Sequence, residues 1–278
     1  MKEDKVRKIV REGYAEVAKR QTSCCDTSAA SCSCSTTPTS EELSSRIGYS
    51  KEEMNSVPEG ANLGLGCGNP TALASLKEGE TVLDLGSGAG FDSFLAANKV
   101  GKSGKVIGVD MTPEMLDKAR ENARKGKYGN VEFRLGEIEN LQAADGSVDI
   151  VISNCVINLS PDKKKVFEEA FRVLKPNGRL MVSDIVLLKE LPEVIRKYVQ
   201  AYIGCVAGAE MKNKYLGIIE EAGFQKVKVI EESVFPIDYV ISDPTAKKII
   251  KASKMPAEKI KEMSSTVASI KVSALKPN

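Results

Sequence analysis

The 278-residue sequence predicts an α/β fold, a doubly wound Rossmann-like sheet with helices on both faces, an N-terminal helical and cysteine-rich extension and a small C-terminal appendage. Three observations carry that expectation. Short strand-like runs alternate with helical runs from residue 79 onward, a glycine-rich turn joins the first of those strands to its helix, and acidic residues recur at successive strand ends. Such alternation marks a parallel sheet, because each crossover helix must carry the chain back to begin the next strand in the same direction.

Taken in order, Val6, Val10, Tyr14 and Val17 recur at intervals of four, four and three, which gives one apolar stripe on an amphipathic helix. Residues 21–40 are rich in Ser, Thr and Cys, contain Pro38 and lack an apolar period, so they read as a loop. Ser40 caps a short helix over Glu41 to Arg46, and Gly60 to Pro70 is a glycine-rich approach to the core. Strands are expected at Thr81–Leu85, Lys105–Asp110, Val131–Leu135, Val148–Ser153 and Arg179–Asp184. Helices fall between them, to about Asn98, from Pro113 to about Lys125, and from Pro161 to Leu174. Pro113 and Pro161 suit first helical turns, and Gly178 follows a helix end at Lys175-Pro176-Asn177. Two more helices are expected at Leu191–Ile203 and Glu210–Ala222, then a strand at Lys226–Glu231. From Asp243 the chain is Lys-rich and weakly patterned, which reads as peripheral. The resulting division is an extension over 1–59, a core over 60–235 that includes a substrate-binding helical segment at 189–222, and a tail over 236–278.

Composition excludes several function classes. Charged residues make up 28% and the net charge is only +2, so no broad basic field invites nucleic acid. Lys163, Lys164 and Lys165 read as a solvated helix face. No apolar run approaches the ~20 residues of a membrane span, and the mixed charge at the N-terminus does not suit a secretion signal. A cytoplasmic protein that engages no membrane is expected. Histidine is absent, which removes imidazole triads, His-containing metal centres and imidazole proton shuttles. Tryptophan is absent too and aromatics are 5%, against a stacking platform for bases or sugars.

The first core strand runs into Gly86-Ser87-Gly88-Ala89-Gly90, with Asp84 two residues before the first glycine. Glycines at alternate positions let backbone approach a ligand and let the helix pack tightly on the strand. A carboxylate at Asp84 opposes pyrophosphate but suits a ligand carrying an ammonium group. Asp110 ends the second strand, where an acid can accept both hydroxyls of a ribose, and Gly136-Glu137-Ile138 follows the third. Asp84 and Asp110 could also be mere polar ends of buried strands, but the ordered series of loop, acid and third-strand turn favours a site. Over Gly79 to Glu232 this series resembles the class I S-adenosylmethionine methyltransferases, as does Leu174-Lys175-Pro176-Asn177-Gly178-Arg179-Leu180 before the fifth strand. The resemblance implies S-adenosylmethionine as cofactor, held by Asp84, Gly86, Ser87, Gly88, Gly90, Asp110, Met111, Glu137, Ile138 and Asn154.

Seven cysteines stand at 24, 25, 32, 34, 67, 155 and 205. In a cytosolic chain they are reduced, redox-active or ligating in preference to a structural disulfide framework. Ser153-Asn154-Cys155 carries the fourth strand to its carboxyl end and sets a thiol beside the cofactor. Glycines flank Cys67 in Gly66-Cys67-Gly68-Asn69-Pro70 and should expose it, and Cys205 follows Gly204 near a helix end. Any one of these could be a small buried residue. Together, Gly-Cys-Gly-Asn-Pro, Ser-Asn-Cys-Val-Ile-Asn-Leu-Ser-Pro-Asp-Lys and the third cysteine are similar to arsenite methyltransferases over Val57 to Ser233. That resemblance implies that Cys67, Cys155 and Cys205 act catalytically by binding trivalent arsenic. It also implies an N-terminal cysteine as a fourth thiol or as part of a disulfide reduced during turnover. Cys24, Cys25, Cys32 and Cys34 are equal candidates for that thiol. The implied partners are arsenite, as such or as a thiol conjugate, and a thiol reductant such as thioredoxin or glutathione. The longer animal and algal relatives carry a further C-terminal domain, for which the residues after Asp243 are too few. Two other readings stand beside this one: a carbon or oxygen methyltransferase for a small organic acceptor, and a protein that sequesters thiophilic metal.

Overall fold

The computed structural model describes residues 3–19, 39–190, 208–234 and 266–278. The chain runs α1 (Glu3–Lys19), α2 (Ser40–Arg46), α3 (Lys51–Asn55), α4 (Pro70–Leu73), β1 (Thr81–Leu85), α5 (Phe91–Val100), β2 (Lys105–Asp110) and α6 (Pro113–Lys125). It continues through β3 (Val131–Leu135), β4 (Val148–Asn154), α7 (Lys163–Val173), β5 (Leu174–Leu187), α8 (Lys212–Glu221), β6 (Gln225–Val234) and β7 (Val267–Leu275). One sheet holds the strands in the order β3-β2-β1-β4-β5-β7-β6. Strands β1 to β5 pair in parallel, and β7 runs antiparallel between β5 and β6. Order reverses at β1, so the chain winds outward from there in both directions, which opens a crevice at the strands' carboxyl ends.

Both faces of the central strands are covered, and the period-two alternation of a strand sorts their side chains. Leu83, Leu85, Val151, Leu180 and Val182 pack on one side with Val166, Phe167 and Ala170 of α7. Val82, Ile150, Ile152 and Met181 pack on the other with Ala96, Ala97 and Val100 of α5. These strands are therefore almost continuously apolar, and polar residues gather at their ends.

Local signals place most boundaries, with informative exceptions. Thr39, not Ser40, caps α2: its hydroxyl accepts the Glu42 amide at 3.2 Å while Glu42 returns a bond to the Thr39 amide at 2.9 Å. Pro113 opens α6 as expected. Pro161 stays outside α7, whose cap is Asp162, accepting the Lys165 amide at 3.0 Å. That start turns Lys163 inward, with 9% of its surface exposed and Nζ donating to the Ser160 carbonyl at 3.3 Å, while Lys164 and Lys165 remain in solvent. The expected turn at Lys175–Gly178 is instead the irregular beginning of β5, where Asn177 adopts φ 60° and the register to β4 shifts. The helix expected at Leu191–Ile203 lies outside the described residues. No helix among the described residues is long and apolar enough to cross a membrane.

The largest difference concerns the tail. Val267–Leu275, expected to be peripheral, is an inner strand of the sheet, with Ala268, Ile270, Val272 and Ala274 completely buried in the main core. Its alternation is real but written in small residues, Val-Ala-Ser-Ile-Lys-Val-Ser-Ala-Leu, so it carries little hydrophobic contrast. Ile270→Ala should lower the unfolding free energy by about 2–5 kcal/mol, whereas Ile230→Ala, at a half-exposed position of β6, should change it by less than about 0.5 kcal/mol. Urea unfolding of the two variants checks the contrast.

Candidate active site

The glycine loop leaves β1 at its carboxyl end and enters α5. A Cβ at Gly86 would lie 2.4 Å from the Val156 side chain, whereas one at Gly88, where φ is +51°, would meet nothing within 4 Å. Gly86 thus permits close packing, while Gly88 fronts open space. Asp110 reaches across from β2: its carboxylate accepts the Gly88 amide at 2.9 Å and the Thr112 amide at 2.8 Å. Each oxygen keeps a second acceptor site for a ligand hydroxyl. Burial pushes the Asp110 carboxyl up, and the amides of Thr112 and Gly88 oppose the rise. Asp84 lies 2% exposed behind the loop and accepts the Ser93 hydroxyl at 2.6 Å. Burial, then the neighbouring Asp92, holds its carboxyl well above the usual range. Within the loop, the buried Ser87 hydroxyl has no hydrogen-bond partner. An orphaned hydroxyl, an open face over Gly88 and two strand-end carboxyls fit a ligand bearing an ammonium group and a ribose, as S-adenosylmethionine does.

The remaining residues expected around that ligand are dispersed. Glu137 is exposed and ion-paired with Arg7 of α1 at 3.4 Å, and Ile138 packs into the main core. Met111 packs instead with Val6, Val10, Cys67 and Cys155. Helix α1 accordingly lies over the strand ends, where Arg7 also pairs with the buried Glu139 at 3.4 Å.

The thiols meet beside this crevice. Cys155 follows β4 with φ 61°, a left-handed backbone that costs a residue with a Cβ about 1–3 kcal/mol, and its amide donates to the Ser183 carbonyl at 2.8 Å. The Cys67 sulfur lies 3.5 Å from the same carbonyl, and the Ser269 hydroxyl of β7 donates to the Cys67 carbonyl at 2.7 Å. The sulfurs of Cys67 and Cys155 and a carboxylate oxygen of Asp184 lie within 4.8 Å of one another, all buried. Neither cysteine is in a disulfide. The expectation that flanking glycines expose Cys67 is corrected, since only 4% of its surface is accessible. The glycines instead let the turn lie flat on the sheet: a Cβ at Gly66 would fall 2.7 Å from the Asn154 carboxamide, and one at Gly68 would fall 2.0 Å from the Ser183 hydroxyl. Asn154 is engaged by protein groups around that turn. Cys205 and the group Cys24, Cys25, Cys32 and Cys34 lie outside the described residues.

Asp184 is the member that sequence reasoning missed. Its carboxylate accepts from the Asn158 carboxamide at 2.7 Å, the Ile185 amide at 2.9 Å and the Tyr215 hydroxyl at 3.0 Å. Burial dominates and pushes its pKa from 3.8 to about 7. The available signal was position, because the strand expected at Arg179–Asp184 ends on this acid beside the strand that ends before Cys155. Two soft sulfurs with one carboxylate can hold a thiophilic atom. Because folding favours the neutral acid, its contribution to stability is fully present below pH 3.8 and is lost as pH rises through about 7. Wild-type stability should lose this contribution between about pH 4 and pH 7, and Asp184→Asn should make the fall shallower in urea midpoints measured across that range.

Residues 76–223 match the family described as Methyltransferase domain. An arsenite methyltransferase of Halobacterium salinarum is 50% identical over 230 residues, which covers 81% of this chain and 59% of that protein. An arsenite methyltransferase of Homo sapiens is 33% identical over 247 residues, 85% of this chain and 63% of that protein. The chain thus spans about three fifths of the length of these curated relatives. The crystal structure of an arsenic(III) S-adenosylmethionine methyltransferase from Chlamydomonas reinhardtii superposes with a TM-score of 0.63 at 33% identity, covering 84% of this chain and 74% of that one. A domain match over more than half of the chain, joined to one-third identity across most of a solved relative, shows that the chain belongs to the class I methyltransferases, in the arsenite methyltransferase family.

Proposed function

We propose that this protein transfers a methyl group from S-adenosylmethionine to trivalent arsenic held by cysteine thiolates. The observation that carries the reading is the buried pair Cys67 and Cys155, within 4.8 Å of each other and at the same sheet edge as the glycine loop. The similarity to arsenite methyltransferases supports it independently. Soft thiolates suit a soft, thiophilic centre. Cys205 is the third ligand in this reading, one of the four N-terminal cysteines supplies a further thiol, and a thiol reductant such as glutathione or thioredoxin keeps the set reduced.

Asp84, the loop from Gly86 to Gly90 and Asp110 would hold the cofactor. When bound, S-adenosylmethionine would supply a sulfonium methyl group open to attack by an arsenic lone pair, with the neutral thioether S-adenosylhomocysteine as the leaving group. No general base is required for such a nucleophile, which agrees with a chain that has no histidine. The protein's part is to align and to dry the site. Holding reactants in register contributes up to about 7–11 kcal/mol. Val6 and Val10 of α1, with Leu159, Ile185 and Leu187, enclose the thiols in apolar surface that keeps water out. Each As–S bond forms as an As–O bond of arsenous acid breaks, and the thiol proton leaves with that hydroxide as water, so the rate of arsenite capture should rise with the thiolate fraction toward the ordinary thiol pKa of about 8.5.

Purified protein incubated with methyl-labelled cofactor, arsenite and a thiol reductant should place label in arsenic species. Label found in no arsenical overturns the reading. Cys67→Ser and Cys155→Ser should each lower turnover by about 100-fold or more while cofactor affinity stays within about twofold. Asp110→Ala should weaken cofactor binding by about tenfold or more and leave arsenite binding intact, as read by titration with each ligand.

A further inference from the structure

Asn154, the last residue of β4, sits where four segments meet. Its carboxamide nitrogen donates to the Gly68 carbonyl at 2.7 Å, to the Tyr49 hydroxyl oxygen at 2.9 Å and to Asp92 at 3.1 Å, two hydrogens shared among three acceptors. Its carboxamide oxygen accepts the Cys67 amide at 3.0 Å. Tyr49 in turn donates to the other oxygen of Asp92 at 2.6 Å. Tyr49 is 3% and Asp92 9% exposed, so these bonds are shielded from competing water. The Gly66 backbone lies against the carboxamide so closely that a Cβ there would stand within 3.0 Å of it. A carboxamide so fully engaged has no donor left for a ligand.

We propose that Asn154 is a positioning residue for the Cys67 thiol, itself oriented by Tyr49 and Asp92, and that it makes no cofactor contact. The role of Cys67 as an arsenic ligand is taken from the function proposed above. The turn around Cys67 has glycine on each side, so its backbone is intrinsically mobile and must be fixed by partners. The carboxamide fixes it twice, through the amide of Cys67 and through the carbonyl of Gly68. Cys155 is the residue next to Asn154, so the spacing of the two thiols is set over one peptide unit and two hydrogen bonds. Asp92 belongs to the first turn of α5, directly after the glycine loop, so the same carboxamide ties the thiol turn to the cofactor loop. Tyr49 lies before the matched methyltransferase domain, which gives the N-terminal extension a place in substrate geometry.

Asn154→Ala and Tyr49→Phe in the full chain test this. Alkylation of each cysteine by iodoacetamide, followed by peptide mass mapping without arsenic, should be about tenfold faster at Cys67 in Asn154→Ala and about threefold faster in Tyr49→Phe, with Cys155 changed less. In turnover assays the KM for arsenite should rise by about tenfold in Asn154→Ala, with the KM for S-adenosylmethionine within about twofold. An unaltered Cys67 rate, or a rise confined to the cofactor KM, overturns the proposal. If Asn154→Ala does not fold, Tyr49→Phe, which removes a single hydroxyl, decides by the same readouts. Absence of arsenite turnover in the wild type overturns the arsenic assignment, and the alkylation comparison still decides the positioning role.

Discussion

The carbonyl oxygen of Ser183 accepts the Cys155 amide at 2.8 Å and lies 3.5 Å from the Cys67 sulfur, so one backbone atom of β5 gathers two thiols from distant parts of the chain. That atom is in place because β4 and β5 run parallel, with Asn154, the last residue of β4, in register with Ser183. A parallel pair sends both chains out on the same edge, where the loops that bind ligands also emerge. The left-handed backbone at Cys155 follows from this arrangement. It turns the chain sharply off β4 while keeping the amide aimed at β5, and the buried surroundings must outweigh a cost of about 1–3 kcal/mol.

Around this junction the protein buries more acid than it neutralises internally. Burial raises the carboxyls of Asp84, Asp92, Asp110 and Asp184; Asp92 raises Asp84 further, and Asp92 itself, also raised by Glu53, is held at about 6. Amides and hydroxyls compensate in part, through Ser93 at Asp84, Tyr49 at Asp92 and Gly88 at Asp110. A cationic ligand would complete the compensation, because a positive charge lowers the cost of ionising carboxyls around it. Acids whose ionisation is costly near neutral pH are thus suited to a ligand with sulfonium and ammonium charges.

Much of this was legible in the sequence, for local reasons. The strand and helix alternation, the glycine loop with Asp84 and Asp110, and the cysteine at the end of the fourth strand are patterns within a few residues of one another. What stayed hidden depends on partners across space. Asp184 is only a strand end until Tyr215 and Asn158 close around it, and nothing local signals the bonds that tie Asn154 to Cys67 and Tyr49. Lys163 looked like one of three equivalent lysines, yet the Asp162 cap sets a helix phase that turns it alone inward. β7 escaped notice because Ala and Ser at its buried positions give a faint pattern, and its placement comes from pairing with β5 and β6 together.

The location of these missed features divides the site in two. The glycine loop, Asp84 and Asp110 all lie within residues 76–223, the span shared with methyltransferases in general. The thiol side draws much of its structure from outside that span: Cys67 itself, Tyr49 beneath Asn154, Val6 and Val10 over the sulfurs, and Ser269 behind the Cys67 carbonyl. Cys155 and Asp184 are the points at which the shared domain meets these additions. A generic sheet edge becomes a place for a thiophilic atom only when chain from both flanks is folded onto it. The helix before the core and the strand after it are for that reason parts of the architecture around the thiol pair, and a core excised at the limits of the family match would keep the glycine loop while losing that pair.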